Sequence, residues 1–279
     1  MKFDWYQASI PGANPAAVMT ALAKSDYYGD WKESRPLKGY DAGAEFNVGG
    51  ETRFRINFGG QNEQHGPNVI GSGGAAPLLA QVIRRHFPRH RVSRLDSCED
   101  FHSHDAYLYL RKIALRIAKL QKVQCREIVK PVAESDDGRT LYLGGASSAV
   151  TMRIYEKGKQ LGCGTEWVRA ELQVRPQKDV KQVVATLSPV EVWGIAKWSH
   201  SMGVQIGNAD LQRVDTSIYQ PSDHDRAYHF MLGQYRKVLE QMHETHGSWE
   251  TVGAQIGYDL KHRDDDLDRI KLTPKAKKP

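Results

Sequence analysis

The sequence lacks any long apolar run. A helix that crosses a bilayer needs ~20 consecutive apolar residues, and no stretch of the 279 residues approaches that length. The first ten residues, MKFDWYQASI, contain no apolar signal-peptide core. We therefore expect a soluble, cytoplasmic protein without a membrane partner.

Cysteine is also scarce. The three cysteines, Cys98, Cys125 and Cys163, have no Cys-x-x-Cys spacing and form an odd set. This usage argues against a zinc site or a disulfide framework and favours a reducing compartment. A Walker loop is missing too, because the glycine-rich stretch Gly71–Gly74 lacks the lysine and the spacing of that motif. The sequence therefore does not support nucleotide hydrolysis.

What the chain does contain is an ordinary globular composition with a basic excess. Hydrophobic residues make up 40% and charged residues 26% of the chain. The 39 Lys and Arg residues exceed the 33 Asp and Glu residues, which gives a formal net charge of +6. Basic residues cluster at Ile83–Arg94, within Thr140–Pro176 and in the C-terminal stretch KLTPKAKKP. All three clusters suit contact with a phosphate backbone.

The segment Thr140–Pro176 is the most informative part of the sequence. Polar and apolar residues alternate with a period of two on both sides of the glycine-rich turn KGKQLGCG. This pattern predicts an antiparallel hairpin with one buried face. The other face would carry a tyrosine, a carboxylate and several cations: Arg153, Tyr155, Lys157, Arg169, Glu171, Gln173 and Arg175.

This combination of side chains suits phosphodiester chemistry. Arginine and lysine stabilise the negative charge that develops on a phosphodiester under attack. A carboxylate can recruit a divalent cation, and a tyrosine oxygen can act as a nucleophile by forming a phosphotyrosine. The alternative is that Tyr155 is a partly exposed packing residue between cationic neighbours.

The strings LYLG, TMRIYEKGKQ and EWVRAELQVRP, in this order, resemble the core of the Rep_trans family. These proteins are the rolling-circle replication initiators of certain plasmids and filamentous phages. SRLDSCEDF (Ser93–Phe101) and the N-terminal FDWYQASI resemble other family blocks, so the resemblance covers roughly residues 1–200. It implies that Tyr155 is the nicking nucleophile. The stretch GASSAV and Glu156 depart from the family pattern, which has basic residues and Asp or Asn there.

Three carboxylates are candidate ligands for Mg²⁺ or Mn²⁺. Asp96 and Asp100 lie four residues apart on a predicted strand and project from one face, and Glu171 lies on a neighbouring strand. Oxygen ligands suit hard divalent cations. The alternative is that Asp96 pairs with Arg94 or Arg153 and that Asp100 caps a loop. A His-x-His pair at residues 102–104 has a metal-binding spacing, but it starts a predicted helix and does not lie within an apolar strand.

The order of predicted elements indicates an α+β fold. We expect a central antiparallel β-sheet with helices packed on it, two related β/α half-units, and additional C-terminal helices. The periodicity predicts strands at residues 3–10, 44–48, 52–58, 91–101 and 124–131, besides the hairpin. It predicts helices at residues 14–24, 78–87, 105–120 and 188–202, and loops at residues 29–43 and 59–74.

Composition also predicts domain boundaries. Residues 1–203 would form a nicking and joining domain, and residues 204–225, rich in Asn, Asp, Ser and Pro, a linker-like segment. Residues 226–262 would form a C-terminal helical appendage, and residues 263–279 a mobile charged tail. The appendage is expected to serve DNA specificity or oligomerisation, or simply to pack on the main sheet.

The residues and the resemblance together predict a site-specific DNA nicking and joining enzyme that initiates rolling-circle replication of a phage or plasmid in a bacterial host cell. Tyr155 would form a 5′-phosphotyrosine and leave a free 3′-OH. Arg153, Lys157 and Arg169 would stabilise charge, beside a divalent ion bound by Asp96 and Glu171, with Asp100 as a third ligand. Expected partners are origin DNA with a single-stranded nick site, a host helicase and polymerase, and optionally a second subunit in a homodimer. The alternative is a non-catalytic, sequence-specific DNA-binding regulator on the same fold.

Overall fold

The computed structural model describes residues 1–26, 28–129, 138–164, 166–214 and 223–272, without the side chains of residues 223–227, 229 and 263–272. The chain divides into two compact units, Met1–Ile218 and Tyr219–Pro279. In the described ranges, ten strands form one antiparallel sheet, and no helix is both long and apolar enough to cross a membrane.

The first unit repeats one series of elements. It begins with β1 (Lys2–Ser9), α1 (Pro15–Ala23), β2 (Asp30–Ser34), β3 (Ala42–Val48), β4 (Glu51–Phe58), β5 (Asn68–Ser72) and α2 (Ala75–His86). It continues with β6 (Arg91–His102), α3 (Ala106–Gln121), β7 (Cys125–Val129), β8 (Arg139–Leu143), β9 (Val150–Tyr155), α4 (Lys157–Gln160), β10 (Trp167–Val174), α5 (Val180–Thr186) and α6 (Lys197–Gln205). Two 3₁₀ helices cover Gly60–His65 and Glu191–Gly194. We call the elements from β1 to α2 the first half-unit and those from β6 to α5 the second half-unit.

The strand order β2-β3-β4-β5-β1-β6-β10-β9-β8-β7 shows how the half-units are related. They meet where β1 pairs with β6. Outwards from this seam, each half-unit places its first strand, then its fifth, fourth, third and second. The predicted antiparallel sheet built from two related half-units is therefore confirmed.

Alternation along the strands decides which face of the sheet is covered by helices. Phe54 and Ile56 on β4, and Ala170 and Leu172 on β10, are buried in the core. On that face α2 packs against β1, β4 and β5, and α3 packs against β8, β9 and β10. The residues between these apolar positions, such as Arg55, point to the opposite face, which we call the polar face.

Two segments predicted to be loops contain strands. β2 lies within residues 29–43, and β5 lies within residues 59–74. β5 pairs with β1 on one side and β4 on the other, although its sequence is only NVIGS. Gly71 within it lies close to α2, because a Cβ atom there would lie 3.0 Å from Leu79 Cδ2. These strands are too short for a clear periodic signal, and pairing with distant strands decides their conformation.

The helix predicted over residues 188–202 is interrupted. Ser188 N donates to Glu191 Oε2 at 2.7 Å and Glu191 N donates to Ser188 Oγ at 3.3 Å, but the first helical segment, a 3₁₀ helix, begins only at Glu191. Ala196, however, is extended (φ −106°, ψ 151°) and separates the 3₁₀ helix from α6. The carbonyl of Gly194 accepts a hydrogen bond from Val214 N at 3.1 Å. Val214 thus contacts the chain just before Ala196, where the predicted helix is interrupted.

The second unit contains α7 (Asp223–His246) and α8 (Trp249–Leu272), which pack against each other. Gly247 turns the chain between them with φ +79°. Ser248 caps α8, because its Oγ accepts a hydrogen bond from Thr251 N at 3.2 Å. α8 continues through residues 263–272, while residues 273–279 of the predicted tail lie outside the described residues. The boundaries at residues 203, 225 and 262 stay predictions.

Candidate active site

The polar face of the second half-unit brings the predicted residues together. Tyr155 on β9 pairs with Arg169 on β10, and Arg153 pairs with Glu171. On the other side of β9, Arg153 pairs with Tyr142 of β8. Directly opposed residues point to the same face of a sheet. The predicted nucleophile, its cations and Glu171 are therefore neighbours.

Tyr155 forms one end of a hydrogen-bonded triad. Its side chain is 5% exposed, and its hydroxyl donates to Glu171 Oε2 at 3.1 Å. Arg153 Nη2 donates to both carboxylate oxygens of Glu171, at 2.7 and 2.9 Å. The guanidinium of Arg153 also lies 4.9 Å from the centre of the Tyr155 ring. A tyrosine hydroxyl thus contacts a carboxylate that an arginine holds in position.

The electrostatics of this triad keep the phenol protonated. Burial raises the pKa of Tyr155 above its ordinary value of 10, and the negative charge of Glu171 raises it further. The positive charges of Arg153 and Arg169 oppose this shift without cancelling it. At neutral pH a phenol in this environment can become a nucleophile only if a neighbouring group accepts its proton. Glu171 is the group in hydrogen-bond contact.

Arg169 lies beside Tyr155 but is bound to two carboxylates. Its Nε and Nη2 donate to the oxygens of Asp100 at 2.7 and 2.9 Å, and its Nη1 donates to Asp4 at 2.7 Å. Trp167 Nε1 also donates to Asp100, at 2.9 Å. Burial alone would raise the pKa of Asp100, but the hydrogen bonds from Arg169 and Trp167 outweigh it and hold this pKa well below its usual range. The predicted role of Arg169 in stabilising phosphate charge stays a prediction.

The donor chemistry of the three predicted metal ligands suits a hard cation, but their contacts in this structure do not. Asp96 accepts two hydrogen bonds from Arg94, at 3.0 and 2.6 Å. Glu171 and Asp100 are paired with Arg153 and Arg169 in the same way. Within the part of the chain that the structure describes, no group of three or more His, Cys, Asp or Glu side chains could hold a metal ion. Metal binding by Asp96, Asp100 and Glu171 therefore needs ion pairs to open, and it stays a prediction.

Lys157 is the third predicted cation near the tyrosine. It begins α4, directly after β9 and Glu156. Its Nζ lies 5.6 Å from the centre of the Tyr155 ring and 3.5 Å from Gln160 Oε1. Among the described residues, no carboxylate forms an ion pair with it. Lys157 can therefore move toward a phosphate without first breaking such a pair.

Three neighbours of the site were not predicted: Asp4, Glu156 and Arg139. Asp4 reaches Arg169 because a register shift between Phe3 and Trp5 redirects β1, and one sequence carries no clear signal for such an irregularity. Glu156 is 4% exposed and accepts hydrogen bonds from the backbone N and the Nη2 of Arg139, at 2.7 and 2.8 Å. This pair fixes the start of β8 beside Tyr155. The only signal for it was the departure of Glu156 from the family pattern.

Two concavities flank Arg153 on the polar face. The larger has a volume of ≈ 390 Å³ and the smaller ≈ 180 Å³. Arg153 and Tyr142 line both of them. Among the described residues, the larger one is also lined by Ile128, Gly138, Thr140, Tyr155 and Gln160. Space for a substrate therefore lies next to Tyr155.

Comparison with known proteins shows which family and which fold this chain is similar to. Residues 94–217 match the family model Rep_trans, described as replication initiation factor. No curated protein matches the chain significantly. Among solved structures, the rolling circle replication initiator protein from Geobacillus stearothermophilus shares the fold with a TM-score of 0.54 and 19% identity, over 77% of this chain and 98% of that one. Residues 94–217 of this chain are therefore similar to the replication initiation factors of the Rep_trans family, and the solved structure shows that the fold is shared.

Proposed function

We propose that the chain is a site-specific DNA nicking and joining enzyme that starts rolling-circle replication of a phage or plasmid. The observation that carries the proposal is the hydrogen bond from Tyr155 to Glu171, with Arg153 bound to the same carboxylate. It lies in the region that matches replication initiation factors. A nucleophile, a proton acceptor and a group that orients the acceptor are the parts that nucleophilic catalysis needs.

The proposed step exchanges one phosphodiester for another. The Tyr155 oxygen attacks the scissile phosphorus, and its proton passes to Glu171. The bond from phosphorus to the 3′-oxygen breaks, and that oxygen takes a proton from solvent. The products are a 5′-phosphotyrosine and a free 3′-OH, which a host polymerase can extend once a host helicase unwinds the duplex. Attack of a 3′-OH on the phosphotyrosine reverses the step and joins the strand.

The proton transfer also changes the charge balance of the triad. Before it, the Glu171 carboxylate neutralises Arg153, to which it is bound at 2.7 Å. After it, Glu171 is neutral and Arg153 is left as an uncompensated cation beside the phosphate. The cation therefore becomes available as negative charge builds up on the non-bridging oxygens, which is the condition for selective transition-state stabilisation. Lys157, whose Nζ lies 5.6 Å from the centre of the Tyr155 ring, supplies a second cation.

No proposed step uses Mg²⁺ or Mn²⁺, because Asp96, Asp100 and Glu171 are each paired with an arginine.

The proposal is tested by incubating the protein with supercoiled DNA of the replicon that encodes it, followed by denaturing gel electrophoresis. We expect nicked circles with protein attached to the 5′ end of the cut. Selective binding to origin DNA without any adduct would instead support a non-catalytic DNA-binding regulator.

A further inference from the structure

We propose that the larger concavity is a nucleotide subsite, in which Tyr142 stacks on an unpaired base next to the scissile phosphate. The inference rests on the proposed function, because it names the part of the substrate that this site holds. It begins from the position of Tyr142, which is directly opposite Arg153 in the register of β8 and β9. Tyr155 is therefore its diagonal neighbour, at roughly 7–8 Å.

The ring of Tyr142 is held in place from one side. Arg126 on β7 is opposite Tyr142 in the register, and its guanidinium lies 5.2 Å from the centre of the ring. The side chain of Tyr142 is only half-buried, while the flanking Leu141 and Leu143 are buried in the core. An aromatic ring that is fixed by a cation–π contact and still reaches a concavity is a suitable stacking platform.

The size and lining of the concavity fit one nucleotide. Its volume of ≈ 390 Å³ falls within the range of about 300–1,000 Å³ that is typical of small-molecule sites. Ile128 adds an apolar contact, and the Thr140 hydroxyl and the Gln160 amide offer donors and acceptors for a base edge. Arg153 and Tyr155 lie at the border of the concavity, where the phosphate of the same nucleotide would contact them.

The shape of the site selects single-stranded DNA. A base that is paired and stacked in a duplex cannot enter a concavity on a protein surface, whereas an unpaired base can rotate into it. Stacking on an aromatic ring tolerates any base, because every base has a π face. Tyr142 should therefore select an unpaired nucleotide, and Gln160 is placed to add a preference among bases.

The test measures binding separately from cleavage. In a Tyr155→Phe background, the affinity for single-stranded oligonucleotides spanning the mapped nick is compared before and after Tyr142→Ala. We expect a loss of about five- to a hundredfold for the intact oligonucleotide. We expect almost none when the base at the stacked position is replaced by an abasic site. Tyr142→Phe should bind like the parent, and Tyr109→Ala, which removes an exposed tyrosine of α3, should change nothing.

The outcomes separate this inference from the proposed function. A Tyr142→Ala protein that melts like its parent and still binds intact and abasic oligonucleotides as the parent does would overturn the subsite, even if nicking is observed. A thymidine octamer serves as a probe that does not depend on a nick site. If it binds more weakly to Tyr142→Ala but not to Tyr109→Ala, the subsite stands, even if wild-type protein forms no covalent adduct.

Discussion

The two half-units carry nearly the same tripeptide at the same place in the sheet. The first has Arg55-Ile56-Asn57 on its fourth strand, and the second has Arg153-Ile154-Tyr155 on its fourth strand. In both, the isoleucine is buried in the core and the residues around it point to the polar face. The pair therefore compares one position of the fold with and without the proposed nucleophile.

The neighbours of the tripeptide differ in a consistent way. Opposite Arg153 the fifth strand of the second half-unit provides Glu171, whereas opposite Arg55 the corresponding strand provides Ile70. Arg55 is paired instead with Glu45 on its other side. A carboxylate accompanies both arginines, but only in the second half-unit does the same carboxylate also contact a tyrosine.

Asn57 serves the structure of the first half-unit. It is fully buried, and its Oδ1 accepts a hydrogen bond from Leu37 N at 2.9 Å. The segment between β2 and β3 thus contacts the polar face of the first half-unit. The two half-units therefore differ at one position of a shared fold, where Asn57 holds a neighbouring segment and Tyr155 contacts the carboxylate of Glu171.

Removing the phenolic oxygen should have the largest effect. We expect Tyr155→Phe to reduce nicking of supercoiled origin DNA to background, because no oxygen is left to form the phosphotyrosine. Origin binding and thermal stability should change little, since the ring and its packing remain. Relaxation of the DNA at near wild-type rate would remove Tyr155 from the nucleophile role.

Glu171→Gln should be the next largest change. It keeps the shape of the side chain but removes the proton acceptor, so we expect single-turnover cleavage to fall by about 10²–10⁴-fold. Chelation of metal ions by EDTA in the wild-type protein separates the proposed role of Glu171 as proton acceptor from its predicted role as metal ligand. Unchanged cleavage in EDTA would disprove metal dependence, and a sharp fall would mean that the ion pairs around Glu171 and Asp96 open to admit a cation.

Truncation near Pro221 tests whether the residues that recognise the base sequence of the origin lie outside the β-sheet. The cationic polar face can bind the phosphate backbone of DNA, but it offers few groups that can form specific contacts with base edges. We expect the truncated protein to fold and to cut single-stranded oligonucleotides that contain the nick site. Its preference for duplex origin over unrelated duplex should fall at least about tenfold. Competition binding measures this ratio, and an unchanged ratio would show that α7 and α8 do not carry specificity.

Asn57→Ala is the counterpart of Tyr155→Phe in the first half-unit. It leaves Leu37 N without its acceptor, so we expect the free energy of unfolding to fall by about 1–3 kcal/mol. The rate of nicking under conditions where the protein is folded should not change. Chemical denaturation and a nicking assay on the same sample check both halves of this expectation. A large loss of nicking with unchanged stability would show that the first half-unit takes part in the reaction.

Asp100→Asn should affect stability mainly at low pH. The folded-state pKa of Asp100 is lowered, so its stabilising contribution is present above the unfolded value of about 3.8 and is lost as the pH falls below it. We expect the variant to be less stable than wild type at neutral pH, and the difference to shrink below pH 4. Unfolding curves at several pH values measure this, and a difference that stays constant with pH would mean that Asp100 is not ionised in the folded protein.

Local patterns were sufficient to predict much of the second half-unit. Strict alternation placed Arg153, Tyr155 and Glu171 on one face, and a glycine-rich turn predicted that β9 and β10 pair. The partners of these side chains could not be predicted in the same way. A metal ion was the favoured neighbour of Asp96, with Arg94 or Arg153 as the alternative. The structure pairs Asp96 with Arg94, a choice that depends on the three-dimensional arrangement of side chains across strands.

The first half-unit was harder to predict for a physical reason. β2 and β5 are five residues each, too short for a periodic signal, and they are held by neighbours on other strands. The register shift that directs Asp4 toward Arg169 is likewise a property of the assembled sheet. The similarity between Arg55-Ile56-Asn57 and Arg153-Ile154-Tyr155 is visible in the sequence. It becomes meaningful only when the strand order shows that both tripeptides lie on equivalent strands.

The central seam has a consequence for when the protein becomes active during its synthesis. Asp4 and Arg169 are 165 residues apart in the chain, and β10 is made after β6 and β9 but lies between them. Contacts between such distant residues form late in folding. Glu171 is carried by this last, inserted strand, so a nascent chain holds Tyr155 without its proton acceptor. If Tyr155 nicks DNA as proposed, we therefore expect nicking competence to appear only when the ribosome has released the whole sheet.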